Sequence, residues 1–308
     1  MIENFDAKYS YENIFKSIGL DNTIKNFIVF LDFACDNFFE NVIVNDYNVL
    51  FQPFGIYSSI DTLKSLYEIC INGDFIAAKF LLRKIRDNLF FDLFVLCDIQ
   101  FNVPPNLDTN NKGKEQSDYS EPIRDLALYA REYMDFAKEN QIKSALNRWG
   151  KSELSYYDKK KFFDFGEYKK KIKDLCPKAK NYLENYANEF LKELGIKLND
   201  FAHNNGLINM INPNKYSFDK FFSGYNEINN LLKMLLKIFV ILLFLICPLA
   251  LVSTDYYDRE RFAFFENERL DQLYLIYNIK YIFDEIKNNE KPLYDFLKQN
   301  NDYNLHIE

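Results

Sequence analysis

Glycine and proline are scarce in this chain, nine and eight among 308 residues. A β-sandwich needs a turn signal every eight to twelve residues or so, so the shortage argues against that architecture and favours long helices. Histidine is scarcer still, with two in the whole sequence. Any imidazole chemistry must rest on His203, because His306 stands in the terminal tail. The five cysteines (Cys35, Cys70, Cys97, Cys176, Cys247) are odd in number and widely spaced, and no CxxC or paired Cys/His spacing occurs. They read as buried thiols in a reducing compartment, neither a disulfide framework nor zinc ligands. No GxGxxG, GxSxG or HExxH is present, and Gly150-Lys151-Ser152 has Ala145 where the first glycine of a phosphate loop would stand. No metal and no cofactor is therefore expected. The first ten residues, MIENFDAKYS, carry neither a basic nor an apolar run, so no signal peptide is expected. A net charge of −7 argues against wholesale binding to DNA or anionic lipid, although a local basic patch can sit inside an acidic total.

Large apolar side chains are plentiful: Phe and Tyr number 31 and 22, and 48% of residues are hydrophobic. That is ample for a continuous core. Ile24, Phe27, Leu31 and Cys35 recur at spacings of three and four within 21–44, which predicts an amphipathic helix. A second helix from Ser58 stops at Gly73, and a third, more apolar one runs over 74–99, so the two form an antiparallel pair. Residues 103–118 read as an exposed loop. Further helices are predicted over 121–148, from Pro177 to His203, over 217–252 and over 269–289, the last with Ile276, Ile279, Phe283 and Ile286 along one stripe. The expectation is one all-α domain over 1–308, a multi-helix bundle with a C-terminal helical tail from 254.

Ile238 to Val252 contains no polar side chain. As a helix it spans about 22 Å, short of the ~30 Å hydrocarbon core; extended back to Leu231 it spans about 33 Å, with Lys233 and Lys237 reaching toward one interface. Two readings stay open: a buried central helix near 231–252 in a cytoplasmic protein, or a single pass through the inner membrane with the N-terminal body in the cytoplasm. The tail decides between them, since its isoleucine stripe needs a core to cover.

Three stretches carry candidate chemistry. In LLRKIRDN, Arg83 and Asp87 are four apart and share a helix face, while Arg86 falls one turn from Leu82 and Phe90. A charge near the interior needs a partner, so the stretch reads as a structural salt bridge or as a ligand-binding cluster. His203 closes KLNDFAH before a polar loop; it either caps its helix or, with Asn199, Asp200 and Asn204 nearby, takes part in a site. Residues 156–174 interleave lysines with aromatics. Lys159, Lys160, Lys161, Lys169, Lys170 and Lys171 could neutralise phosphates while rings stack on bases, as single-stranded RNA binding needs; a solvated helix face is the plainer alternative.

Taken together, AKFLLRKIRD at 78–87, LNDFAH ending at His203 and STDYYD at 253–258 resemble all-helical HEPN-like bacterial proteins of the DUF5677 type. The resemblance implies an arginine and an acid on one helix and a histidine on another, assembled across a homodimer. It also implies metal-independent RNA cleavage in some relatives, which act as toxins or in phage defence. His203 would then move the proton, Arg83 or Arg86 would stabilise the phosphorane, Asp87 would orient the arginine, and Asn199 and Asn204 would hold phosphate or sugar. The chain departs from that pattern where an arginine should precede the histidine: Ile196, Lys197 and Leu198 stand there. A non-catalytic helical interaction module and a membrane-anchored protein remain the alternatives.

Overall fold

The computed structural model describes residues 12–41, 43–44, 47–48, 53–102, 155, 164–202, 218–253 and 273–307. The protein is all-α, a multi-helix bundle, and among the described residues the strands form short two-residue pairs. Helix α1 is Leu20–Asn41, α2 is Phe54–Ile71 and α3 is Phe75–Asn102. They are followed by α4 (Phe165–Leu175), α5 (Pro177–Asn185), α6 (Asn188–Ala202) and the long α7 (Phe218–Ile246), then by α8 (Tyr277–Asn289) and α9 (Lys291–Gln299). Strands β1 (Ile43–Val44) and β2 (Tyr47–Asn48) pair antiparallel, while β3 (Leu273–Tyr274) and β4 (Leu305–His306) pair parallel.

The α2–α3 hairpin is the tightest unit. Gly73 takes φ 71° at the turn, the left-handed conformation that glycine adopts freely. Asp74 then accepts from the Ala77 N–H at 3.0 Å and caps α3. At the far end the two backbones touch: a Cβ on Gly55 would run into the Asn88 carbonyl oxygen and the Asp92 carboxylate. Pro53 occupies the N-cap of α2 and offers no side-chain hydrogen bond. The cap comes from α3 instead, because Asp92, 2% exposed, accepts from the N–H groups of Gly55 at 3.0 Å and Ile56 at 2.6 Å.

Helix α7 runs through the centre of the bundle. Every residue from Ile238 to Cys247 is buried, and the helix packs against α1, α3 and α5. Phe239 meets Phe30 of α1 at 6.2 Å, the Tyr225 hydroxyl donates to the Cys70 carbonyl of α2 at 2.8 Å, and Phe244 meets Phe283 of α8 at 5.5 Å. Residues 222–246 are long and apolar enough to cross a membrane, with mean hydropathy 2.1, yet 78% of the most apolar window is covered by the protein itself. The described tail returns to the same bundle as Arg83. Ser253 donates to the Tyr274 carbonyl at 2.9 Å and Ile276 to the Leu251 carbonyl at 3.0 Å, so the chain leaving α7 is stitched to the strand that leads into α8.

Several boundaries differ from the sequence reading. The helix expected over 231–252 ends at Ile246, since Pro248 cannot continue it, and a 3₁₀ turn covers Pro248–Leu251. The single helix expected from Pro177 breaks at Tyr186–Ala187 into α5 and α6. The last amphipathic helix starts at Tyr277 and not near 269, because Leu273–Leu275 pairs with Leu305–His306 and Val252; Ile276 precedes the helix, leaving Ile279, Phe283 and Ile286 on its buried stripe. All five cysteines are free and buried. The predicted loop 103–118, the predicted helix 121–148 and most of STDYYD lie outside the described residues.

Candidate functional site

The arginine cluster lies where α3 packs on α4. Neighbours in a helix sequence do not ordinarily face each other. Arg86 is long enough to fold over its neighbour, and its Nη2 and Nε donate to Asp87 Oδ1 at 2.6 and 2.8 Å. Its guanidinium carbon sits 4.1 Å from the centroid of the Phe165 ring, so the cation is held between a carboxylate and an aromatic face. Arg86 is 3% exposed. The four-residue pair expected between Arg83 and Asp87 is looser, 4.0 Å from Arg83 Nε to Asp87 Oδ2, and the Arg83 side chain remains 34% exposed. Burial pushes the Asp87 carboxyl above its ordinary range; Arg86 and then Arg83 hold it down, and nearby Asp164 adds to the rise.

Helix α4 is built around this contact. Asp164 caps it by accepting from the Gly166 N–H at 2.6 Å. Phe165 meets Phe90 edge-on at 4.8 Å, and Tyr168, one turn later, stacks on Phe94 at 5.9 Å. Burial, followed by Asp87, pushes the Tyr168 phenol upward. Tyr168 faces the interior and offers no open ring to a base, while Phe165 is half-buried with the Arg86 guanidinium against its ring. Lys169 stands 5.9 Å from the Phe165 ring, and burial, then Lys173 and Arg86, lower its ammonium. Lys169, Lys170 and Lys171 are consecutive, so they fan around the helix instead of forming one basic face.

The structure thus brings Arg83, Arg86 and Asp87 together and adds Asp164, Phe165, Tyr168 and Lys169. The three-residue spacing of Phe165 and Tyr168 was the available signal for a buried face on α4. His203, Asn204 and Lys159, Lys160 and Lys161 lie outside the described residues, as does the side chain of Asn199, although Asn199 belongs to α6. Among the described residues no group of three or more His, Cys, Asp or Glu side chains is placed to hold a metal ion.

A second feature lies across the bundle and was not visible in the sequence. A trough of about 770 Å³ runs along α7, walled on one side by α5 and α6 and on the other by α8 and α9. Its α7 floor includes Ser223, Asn226, Asn230, Met234 and Ile238, a helical stripe about four turns and 22 Å long. Tyr186 and Phe190 line one wall, Tyr281 and Ile282 the other. The Phe190 and Tyr281 rings are each 43% exposed. The carboxylates along the trough are matched: Glu193 with Lys197 at 2.6 Å, Glu227 with the buried Lys79 at 2.7 Å, and Glu285 and Glu290 both with Lys237. Burial, then Glu285, raises the Tyr281 phenol. The volume falls in the range of ligand pockets formed between bundle helices, about 300–1,000 Å³.

No protein-family model, curated protein or solved structure matches the chain.

Proposed function

We propose that this chain is a non-catalytic helical binding module of the soluble phase, whose ligand is taken by the trough along α7. The observation that carries the reading is the state of Arg86. Its donors engage Asp87, its face engages Phe165, and at 3% exposure it has no surface to offer a phosphate. A cluster of this kind orders the α3–α4 contact. The test is an RNA-cleavage assay on purified protein beside a folded His203→Ala variant: the two should be indistinguishable, and cleavage that depends on His203 would overturn the module.

Assignment to the soluble phase rests on the enclosure of Ile238–Cys247 and on the return of the tail through Phe244–Phe283 and the Lys237–Glu290 ion pair. Fractionated cells should hold the protein in the high-speed supernatant. Pelleting that survives carbonate extraction would assign α7 to the inner membrane instead.

The HEPN-like reading, a metal-independent RNase or toxin acting as a homodimer, has one observation in its favour. Arg83 keeps a third of its side chain open beside Asp87. That reading requires Arg83→Ala and His203→Ala to abolish RNA cleavage together.

A further inference from the structure

The lining of the trough along α7 narrows what it can hold. Its carboxylates are Glu193, Glu227, Glu285 and Glu290; its lysines are Lys197, Lys233 and Lys237, and Lys79 neutralises Glu227 from α3. The two signs cancel. A polyanion finds none of the surplus positive charge that drives nucleic-acid binding by counterion release, and a polycation finds no surplus negative charge. The aliphatic lining is already covered: Leu231, Ile238, Ile282 and Leu293 are buried in the bundle, and Met234 is half-buried. A lipid tail or the apolar face of a helix therefore has no open stripe to cover.

What stays open is of two kinds. Ser223, Asn226 and Asn230 repeat at spacings of three and four along one face of α7, and Asn226 and Asn230 have no protein hydrogen-bond partner among the described residues. A hydroxyl and a carboxamide each offer both a donor and an acceptor, so they suit a ligand group that does the same. The second kind is aromatic: Phe190 on the α6 wall and Tyr281 on the α8 wall, each 43% exposed. An aromatic face carries partial negative charge and packs against polarised C–H groups. A pyranose ring meets all three conditions, with donor–acceptor hydroxyls at its edge, polarised C–H groups on its faces and no net charge. The dimensions suit several such rings in a row, since the trough follows α7 for about 22 Å and encloses about 770 Å³. It is also pre-formed: the Tyr186 hydroxyl donates to the Pro292 carbonyl at 3.4 Å and Lys237 pairs with Glu290, which ties the end of α5, α7 and the start of α9 together.

We propose that the trough binds a short uncharged carbohydrate chain, with sugar faces on Phe190 and Tyr281 and sugar hydroxyls on Ser223, Asn226 and Asn230. This rests on the binding-module reading and names the chemical class of the ligand.

The probe is a panel of uncharged trisaccharides (maltotriose, cellotriose, xylotriose and tri-N-acetylchitotriose) titrated against the full-length protein by saturation-transfer NMR, with trigalacturonate and a set of dipeptides beside it. The expected result is binding of at least one uncharged trisaccharide, with transfer strongest at its ring C–H protons and an affinity that does not change between low and high sodium chloride. Tyr281→Leu, which keeps bulk but loses the aromatic face, should weaken binding about two- to tenfold, and Tyr281→Phe should weaken it less. Asn230→Ala should weaken it by a similar factor, the share of one hydrogen bond. Circular dichroism checks the fold of each variant; Asn230 is exposed, so its variant keeps the test in force if a ring substitution unfolds the protein. No transfer to any uncharged trisaccharide overturns the proposal, and so does binding that Tyr281→Leu and Asn230→Ala leave untouched. Tighter, salt-sensitive binding of trigalacturonate would make the trough an anion site, and binding of dipeptides alone would make it a site for zwitterions; either overturns the carbohydrate assignment and leaves the module standing. His203-dependent RNA cleavage removes the module whether or not a sugar occupies the trough.

Discussion

Removing the Asp92 carboxylate tests a buried polar contact between α2 and α3. Asp92 is 2% exposed on α3 and receives the N–H groups of Gly55 and Ile56, the opening donors of α2, at 3.0 and 2.6 Å. Pro53 supplies no side-chain cap, so nothing local replaces the contact. Asp92→Ala leaves two buried donors unpaired at about 1–3 kcal/mol each, which places the loss near 2–6 kcal/mol. A domain whose whole stability is about 5–15 kcal/mol will show that plainly in a urea-unfolding midpoint. The contact also carries a pH signature. Burial pushes the carboxyl from 3.8 up to about 8, against the two N–H groups that hold it down. Between those values the folded state keeps a proton that the unfolded state releases, so this residue's contribution is full below about pH 4 and declines as pH rises toward 8. Asp92→Asn, uncharged throughout, should lack that decline. Loss of less than about 1 kcal/mol in Asp92→Ala would refute the capping argument. A wild-type stability that rises between pH 5 and 8 relative to Asp92→Asn would refute the assignment of the proton.

Three further outcomes follow from the packing. Arg86→Ala should cost about 3–5 kcal/mol in denaturant unfolding, because Asp87 loses its close partner at a partly buried site, whereas the double change Arg86→Met with Asp87→Leu should recover most of it. Native protein should leave all five thiols unreacted with a disulfide reagent and release five equivalents after guanidinium unfolding, since burial pushes Cys35 and Cys70 up to about 12 and Cys247 to about 11. Phe283→Ala should lower stability by about 3–5 kcal/mol and make the tail susceptible to limited proteolysis, since that ring is the tail's aromatic contact with Phe244.

The helical class was legible because period and punctuation agreed. Leu63 and Leu66 repeated in register up to Gly73, and the structure turns at Gly73. Asp87 was legible as a partner, but the arginine it holds closest is its neighbour Arg86, since a helix wheel ranks residues by angle and takes no account of how far a flexible side chain reaches. Asp92 carried no local signal at all; its role exists only because Gly55 lets α2 approach, 37 residues away in the chain. The strand at Leu273 escaped for the same reason, its partners being Leu305 and Val252. The trough draws on α5 to α9, so no window of sequence contains it.

The position of α7 has a consequence for synthesis. Phe30 and Cys70 leave the ribosome long before Phe239 and Tyr225, the residues that meet them. At about 5–20 residues per second, the first three helices wait on the order of 10 s or more with their inner faces uncovered. Such a nascent chain is a ready client for holding chaperones, and its final collapse belongs to the moments after α7 emerges.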